Sequence, residues 1–190
     1  MVTTQDDALA ERFNMLRNHG ASISEEQRHH GPKPYLLPDF NLLGFNYRMT
    51  DLQGAVGVVQ LQKLDQFISE RQKWADYFIT ELACLDWLVT PDVPEGYKHG
   101  WQTFCCFVDE TKAPMPRNDM MELLQEKGIS TRPGTHAVHM LSYYRERYGI
   151  NPEDFPNAAQ CDRQTMAIPL HNRMDQKDFE YVVKTLKDIG

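Results

Sequence analysis

Asn46, Tyr47 and Arg48 stand in a row, placing an amide, a phenol and a guanidinium directly ahead of a helix start. Arginine is a planar fork of N–H donors and asparagine adds an NH2 group, so the triplet suits an oxyanion such as phosphate. The same residues also allow a plainer reading, in which Arg48 is solvated at a helix N-terminus or pairs with a carboxylate such as Asp51. A second group lies downstream, where Ser130-Thr131-Arg132-Pro133 leads into Gly134-Thr135-His136-Ala137-Val138-His139. Arg132, His136 and His139 there offer a fixed cation and two imidazoles to phosphate or hydroxyl oxygens.

Other chemistries find less support. The chain has no G-x-S-x-G, no GxGxxG, no Walker A loop and no HExxH helix. His136 and His139, even with His29-His30, lack a nearby cysteine, so no metal site is expected. Cys84, Cys105, Cys106 and Cys161 show no CxxC spacing, and reduced, buried thiols are expected. Cys105 and Cys106 adjoin in an apparent strand and should point to opposite faces.

The elements that must position these groups can be read from periodicity. Residues 6 to 17, with Leu9, Phe13 and Leu16, read as an amphipathic helix ending near Gly20. Residues 20 to 45 lack clear periodicity and carry Gly31-Pro32-Lys33-Pro34 and Pro38, a length of loop that usually serves function. Thr50 followed by Gln53 is a capping-box pattern, and Asp51 adds negative charge to the first turn. From Asp51 to about Cys84 an apolar stripe of Leu52, Val56, Val59, Leu64, Ile68, Trp74, Phe78 and Leu82 predicts one helix of about 50 Å joining two domains. Gly54 and Gly57 within it are expected to permit close packing near the site. Beyond it, strands are expected at Trp101–Val108, Ile129–Arg132 and Thr165–Leu170. Helices are expected at Asn118–Lys127, Ser142–Tyr148 and 157–165, with a last one capped by Asp175. Interleaved strands and helices make an α/β or α+β domain.

Composition bounds the rest. The 190 residues carry a formal charge of −7, which argues against nucleic acid as the main partner. No apolar run approaches the roughly 20 residues that cross a bilayer, and the N-terminus shows no secretion signal. A cytoplasmic protein is expected.

The stretch Gly44-Phe45-Asn46-Tyr47-Arg48-Met49-Thr50-Asp51-Leu52-Gln53-Gly54-Ala55-Val56-Gly57, continuing to Gln60-Leu61-Gln62-Lys63-Leu64-Asp65 and Arg71, resembles the DegT-type (DegT/DnrJ/StrS) sugar aminotransferases. Residues 1 to 20, Gly128 to His139, Tyr143 to Arg147, Phe155 to Ala158 and Ala167 to Leu170 are similar to that family in its own order. The resemblance implies the C-terminal part of an aspartate-aminotransferase-like protein of pyridoxal-phosphate (PLP) fold type I. Residues 1–50 would be a remnant of the large PLP-binding domain with an active-site loop. Residues 51–190 would be a long linking helix and a small α/β sandwich domain.

The resemblance also implies roles. Asn46 would reach across a dimer interface to the cofactor phosphate of the other subunit, with Arg48 completing the phosphate environment. Arg132, His136 and His139 would face a nucleotide-sugar substrate, and glutamate would supply the amino group. Family members are about twice this length. The lysine that holds the cofactor would align before Met1, and neither Lys33 nor Lys63 fits its role. No catalytic residue is therefore assigned, and an inactive chain that self-associates as a homodimer or larger assembly is expected. A non-catalytic sugar-nucleotide-binding or dimerisation module and a related PLP-dependent keto-sugar dehydratase stay open as alternatives.

Overall fold

The computed structural model describes residues 2–22 and 39–190, and the chain divides into two compact units, Met1–Gln62 and Lys63–Gly190. The Gly31-Pro32-Lys33-Pro34 run, Pro38 and His29-His30 lie outside the described residues.

In the first unit, helix α1 (Asp7–Arg17) starts where the Asp6 carboxylate accepts the Leu9 N–H at 3.0 Å. It stops as the chain turns left-handed at His19 (φ 61°) and Gly20 (φ 82°). Gly20 is required there twice over. Its φ favours glycine, and an added Cβ would run into the backbone of Leu42. Gly44 is equally constrained, because a Cβ would meet the backbone of His19 and Gly20. The two glycines let residues 42–47 lie directly on the end of α1. Helix α2 (Asp51–Gln62) then begins with the capping box expected from the sequence: Thr50 N–H donates to Gln53 Oε1 at 3.0 Å, and Gln53 N–H to Thr50 Oγ1 at 3.3 Å.

The second unit is built on an antiparallel sheet of four strands, β1 (Leu88–Val89), β2 (Phe104–Val108), β3 (Arg132–Pro133) and β4 (Thr165–Ile168), in the order β1-β2-β4-β3. Phe104 lies opposite Ile168 and Cys106 opposite Met166, and all four are buried, so alternation defines an inner face. Helices α3 (Leu64–Leu82), α4 (Arg117–Glu126) and α7 (Gln176–Ile189) supply Phe78, Leu82, Met120, Leu124, Phe179 and Leu186 to the same core. α7 is capped by Asp175, as expected, and the cap is a full capping box with Asp178. Helices α5 (Ser142–Tyr148) and α6 (Pro156–Gln164) complete the unit.

Four expectations are corrected. The single helix from Asp51 to Cys84 is two helices, α2 and α3, separated by Lys63 at φ −96°, ψ −6°. The stripe also divides: Phe78 and Leu82 are core, whereas Leu52, Val56, Val59 and Leu64 are exposed. Gly54 and Gly57 have no neighbour within 4 Å of an added Cβ, so the close packing expected of them is not found among the described residues. Of the thiols only Cys106 is buried, because β2 turns it inward; Cys105 is half-buried, and Cys84 and Cys161 are exposed. Among the described residues no helix is long and apolar enough to cross a membrane.

Candidate functional site

Asn46 and Arg48 lie on a segment fastened to the end of α1 by its backbone. Phe45 N–H donates to the Leu16 carbonyl at 2.6 Å, His19 N–H to the Phe45 carbonyl at 2.9 Å and Tyr47 N–H to the Arg17 carbonyl at 2.9 Å. Asn18 and Asn46 form an antiparallel bridge. The Phe45 and Tyr47 rings stack at 5.0 Å on one side of this strand, which turns the intervening Asn46 the other way. Asn46 is exposed, and its amide makes no hydrogen bond among the described residues. Arg48 is also exposed, and its Nη1 donates to Asn18 Oδ1 at 2.6 Å. The partner of Arg48 is thus Asn18, not the Asp51 carboxylate. An exposed amide and a guanidinium with further N–H groups form a donor set that fits a phosphate.

The histidine cluster lies in the second unit. Gly134 is its anchor: the Gly134 N–H donates to the Thr165 carbonyl at 3.1 Å, and an added Cβ would meet Cys105 Sγ and lie 2.7 Å from Thr165 Cβ. Three residues on, the Ala137 N–H donates to Asp162 Oδ1 at 2.8 Å. A short 3-10 turn, Val138–Met140, follows and drives His139 inward until it is 7% exposed. Its ring meets that of Phe155 at 5.1 Å, and Nε2 has no partner among the described residues. A buried, unpaired ring nitrogen is costly unless something fills the position. His139 also lines an open cavity of about 600 Å³ whose walls include His136, Tyr144, Phe155, Ala158 and Cys161.

The structure therefore brings His136 and His139 together and leaves Arg132 apart. Arg132 sits on edge strand β3, exposed, with its Nη1 donating to the Thr131 carbonyl at 3.1 Å. Phe155 and Cys161 are wall residues that sequence reasoning passed over as site residues. Phe155-Pro156 marks a helix start rather than a pocket, and the distance in sequence from His139 leaves no local signal. Burial pushes the Cys105 and Cys106 thiols up from their ordinary value, so neither supplies a thiolate.

A smaller cavity of about 320 Å³ is bordered by Glu70, Arg71, Lys73, Trp74 and Asn172. Its polar groups are largely spent on one another. Arg71 Nε donates to Asn172 Oδ1 at 2.9 Å, and Asn172 Nδ2 donates to Glu70 Oε2 at 2.9 Å. Arg71 Nη1 reaches the carbonyl of Trp101 at 3.3 Å. Trp101 itself is buried at φ 47°, its Nε1 donating to Gln72 Oε1 at 2.7 Å. This network ties α3 to the segments flanking β2 and β4. Among the described residues no group of three or more His, Cys, Asp or Glu could hold a metal ion.

Comparison with known proteins gives these features a context. A family model described as the DegT/DnrJ/EryC1/StrS aminotransferase family matches residues 1–187. The spore coat polysaccharide biosynthesis protein SpsC of Bacillus subtilis is 31% identical over 190 residues, covering 100% of this chain and 49% of SpsC. Helicobacter pylori PseC, an aminotransferase involved in the biosynthesis of pseudoaminic acid, superposes with a TM-score of 0.83 at 16% identity, over 98% of this chain and 47% of PseC. Streptococcus pneumoniae Spr1654, solved in a PMP-form, gives a TM-score of 0.84 at 18% identity, over 98% of this chain and 46% of that one. The chain spans about half the length of the curated relatives it matches. Its fold is the corresponding part of the PLP fold type I aminotransferases. With the match running through both units, the chain belongs to the DegT/DnrJ/EryC1/StrS aminotransferase family.

Proposed function

We propose that the chain supplies the C-terminal share of a cytoplasmic, PLP-dependent aminotransferase that passes an amino group from glutamate to a keto-sugar carried on a nucleoside diphosphate. One observation carries this reading. Asn46 and Arg48 project phosphate-suited donors from a segment whose backbone is fastened to the end of α1, and Arg48 is held by Asn18.

PLP, when bound, supplies the electron sink that makes bonds at the amino-bearing carbon labile. The residues of this chain bind and orient. The Asn46 NH2 would donate to the cofactor phosphate of a neighbouring subunit, and Arg48, steadied by Asn18, would neutralise its charge. His139 and Phe155, whose rings meet in the cavity wall, would border the sugar. Arg132 lies on an edge strand, where it can meet a phosphate only from outside that cavity.

Among the described residues no lysine belongs to either group. Lys63 is exposed between α2 and α3, Lys73 lies over the Trp74 ring at 4.5 Å, and Lys187 pairs with Glu81 at 2.8 Å. The chain by itself should therefore not catalyse transamination. The exposed Leu52, Val56 and Val59 of α2 favour self-association as a homodimer or larger assembly.

Saturation-transfer NMR with UDP-glucose tests the sugar pocket. Hexose protons should receive saturation from the chain, and His139→Gln should remove most of it. Hexose signals absent from the wild type, or unaltered by His139→Gln, would overturn the assignment.

A further inference from the structure

Two elements supply most of the wall of the cavity that His139 lines: residues 135–139 of the histidine loop, and α6 with the Phe155 that precedes it, which brings Ala158 and Cys161. Two hydrogen bonds set these elements against each other. The Gly134 N–H donates to the Thr165 carbonyl at 3.1 Å, and the Ala137 N–H to the Asp162 carboxylate at 2.8 Å. Both acceptors belong to the C-terminal end of α6, and one further side chain holds that end. Arg117, the first residue of α4, donates Nη1 to the same Thr165 carbonyl and Nη2 to the main-chain carbonyl of Asp162, each at 3.0 Å. Arg117 is itself no part of the cavity wall.

Arg117 is 7% exposed. Among the described residues its Nε has no partner and its guanidinium pairs with no carboxylate. Taking a cation out of water without an opposite charge is costly, and an apolar side chain would fill the space without that penalty. What the guanidinium supplies is sign and shape. The last carbonyls of a helix lack intrahelical donors and carry the negative end of its dipole, so a cation suits them. A planar fork reaches two of them at once, where an ammonium is a single point.

We propose that Arg117 is the positioning residue of the His139 cavity: it touches no ligand, and it fixes the last turn of α6 so that both anchors of the histidine loop meet their acceptors. The consequence for binding rests on the reading of this cavity as a sugar pocket; the hold on the loop does not. Without the fork, the Thr165 carbonyl and Asp162 lose their common restraint, and the two elements that form the cavity can move apart. Sugar binding then weakens although every residue that borders the sugar is unchanged.

Amide hydrogen exchange in Arg117→Lys, which keeps the charge and loses the fork, tests the proposal. The Gly134 and Ala137 amides should exchange roughly tenfold faster, as expected from the loss of a hydrogen bond to a charged group, with the amides of the β2–β4 ladder changing less. The hexose saturation of UDP-glucose should fall with them. Leu186→Ala, a core substitution on α7, shows what general destabilisation does, and it should accelerate the ladder at least as much as the two anchors. In the wild type the two Arg117 Nη groups should give separate 15N signals, because donation to two carbonyls blocks rotation about the Cζ–Nη bonds; this measurement needs no variant to fold. A single averaged Nη signal, or anchors and ladder accelerated alike in Arg117→Lys, would overturn the positioning role. Faster anchors with hexose saturation unaltered would overturn it too. Hexose saturation absent already in the wild type would overturn the sugar pocket, and the exchange of the two anchors would still decide what Arg117 holds.

Discussion

Arg48 lies 30 residues along the chain from Asn18, yet its Nη1 sits 2.6 Å from the Asn18 Oδ1. The contact joins the residue just past the end of α1 to the segment entering α2, alongside the Asn18–Asn46 bridge. An arginine restrained in this way loses less freedom when an anion arrives than one waving in solvent. Asn18→Ala should therefore act on order more than on stability. Being exposed, the pair should be worth less than about 1 kcal/mol to the fold. The order parameter of the Arg48 Nε–H bond should fall clearly, as measured by 15N relaxation.

Gly134 sets the height of the histidine loop above the sheet. Gly134→Ala forces a methyl against Cys105 Sγ and the Thr165 side chain, and overpacking of this kind costs about 1–3 kcal/mol. Urea unfolding should show the loss, and the His136 and His139 ring resonances should shift. Adding Cys105→Ala should recover part of the stability. Full additivity of the two substitutions would contradict the contact.

Glu70 is held below the usual carboxylate range, first by the hydrogen bond from Asn172 and then by that from Gln66. A carboxyl with a lowered folded-state pKa adds stability that is present above its ordinary value of 4.5 and disappears as pH falls through the folded-state value. Asn172→Ala should move the Glu70 titration, followed by carboxyl 13C NMR, upward toward 4.5. The stability gap between wild type and variant should close as the solution is acidified below that range. A Glu70 titration unmoved by Asn172→Ala would contradict the assignment.

The exposed apolar face of α2 predicts association. Sedimentation equilibrium should report a mass above the 22.1 kDa of one chain, and Leu52→Glu/Val56→Glu should lower it toward that value. A monomer at every concentration would argue against the assembly on which a cross-subunit Asn46 depends.

Local chemistry was legible in the sequence. The Thr50–Gln53 capping box and the Asp175 cap each close within three residues, and the inward and outward turns of Cys106 and Cys105 follow from alternation. The break at Lys63 was not legible, because Leu52, Val56, Val59, Leu64 and Ile68 keep helical spacing straight through it and no glycine or proline marks it. Nor could spacing tell buried His139 from exposed His136, since the difference is made by Phe155 and by the Asp162 carboxylate arriving from α6. Arg132 looked equivalent to its histidine neighbours only until β3 paired with β4 and carried it to the edge of the sheet. Asn18 had the same invisibility, being tied to Arg48 by tertiary contact alone.

The proposed division of labour, in which this chain would grip phosphate and sugar without supplying the covalent amine, is tested most directly by incubation with PLP, borohydride reduction and peptide mapping by mass spectrometry. The account predicts only scattered, sub-stoichiometric modification of surface lysines, unaltered by Asn46→Ala. One lysine modified to a full equivalent, with accompanying turnover of glutamate, would contradict it.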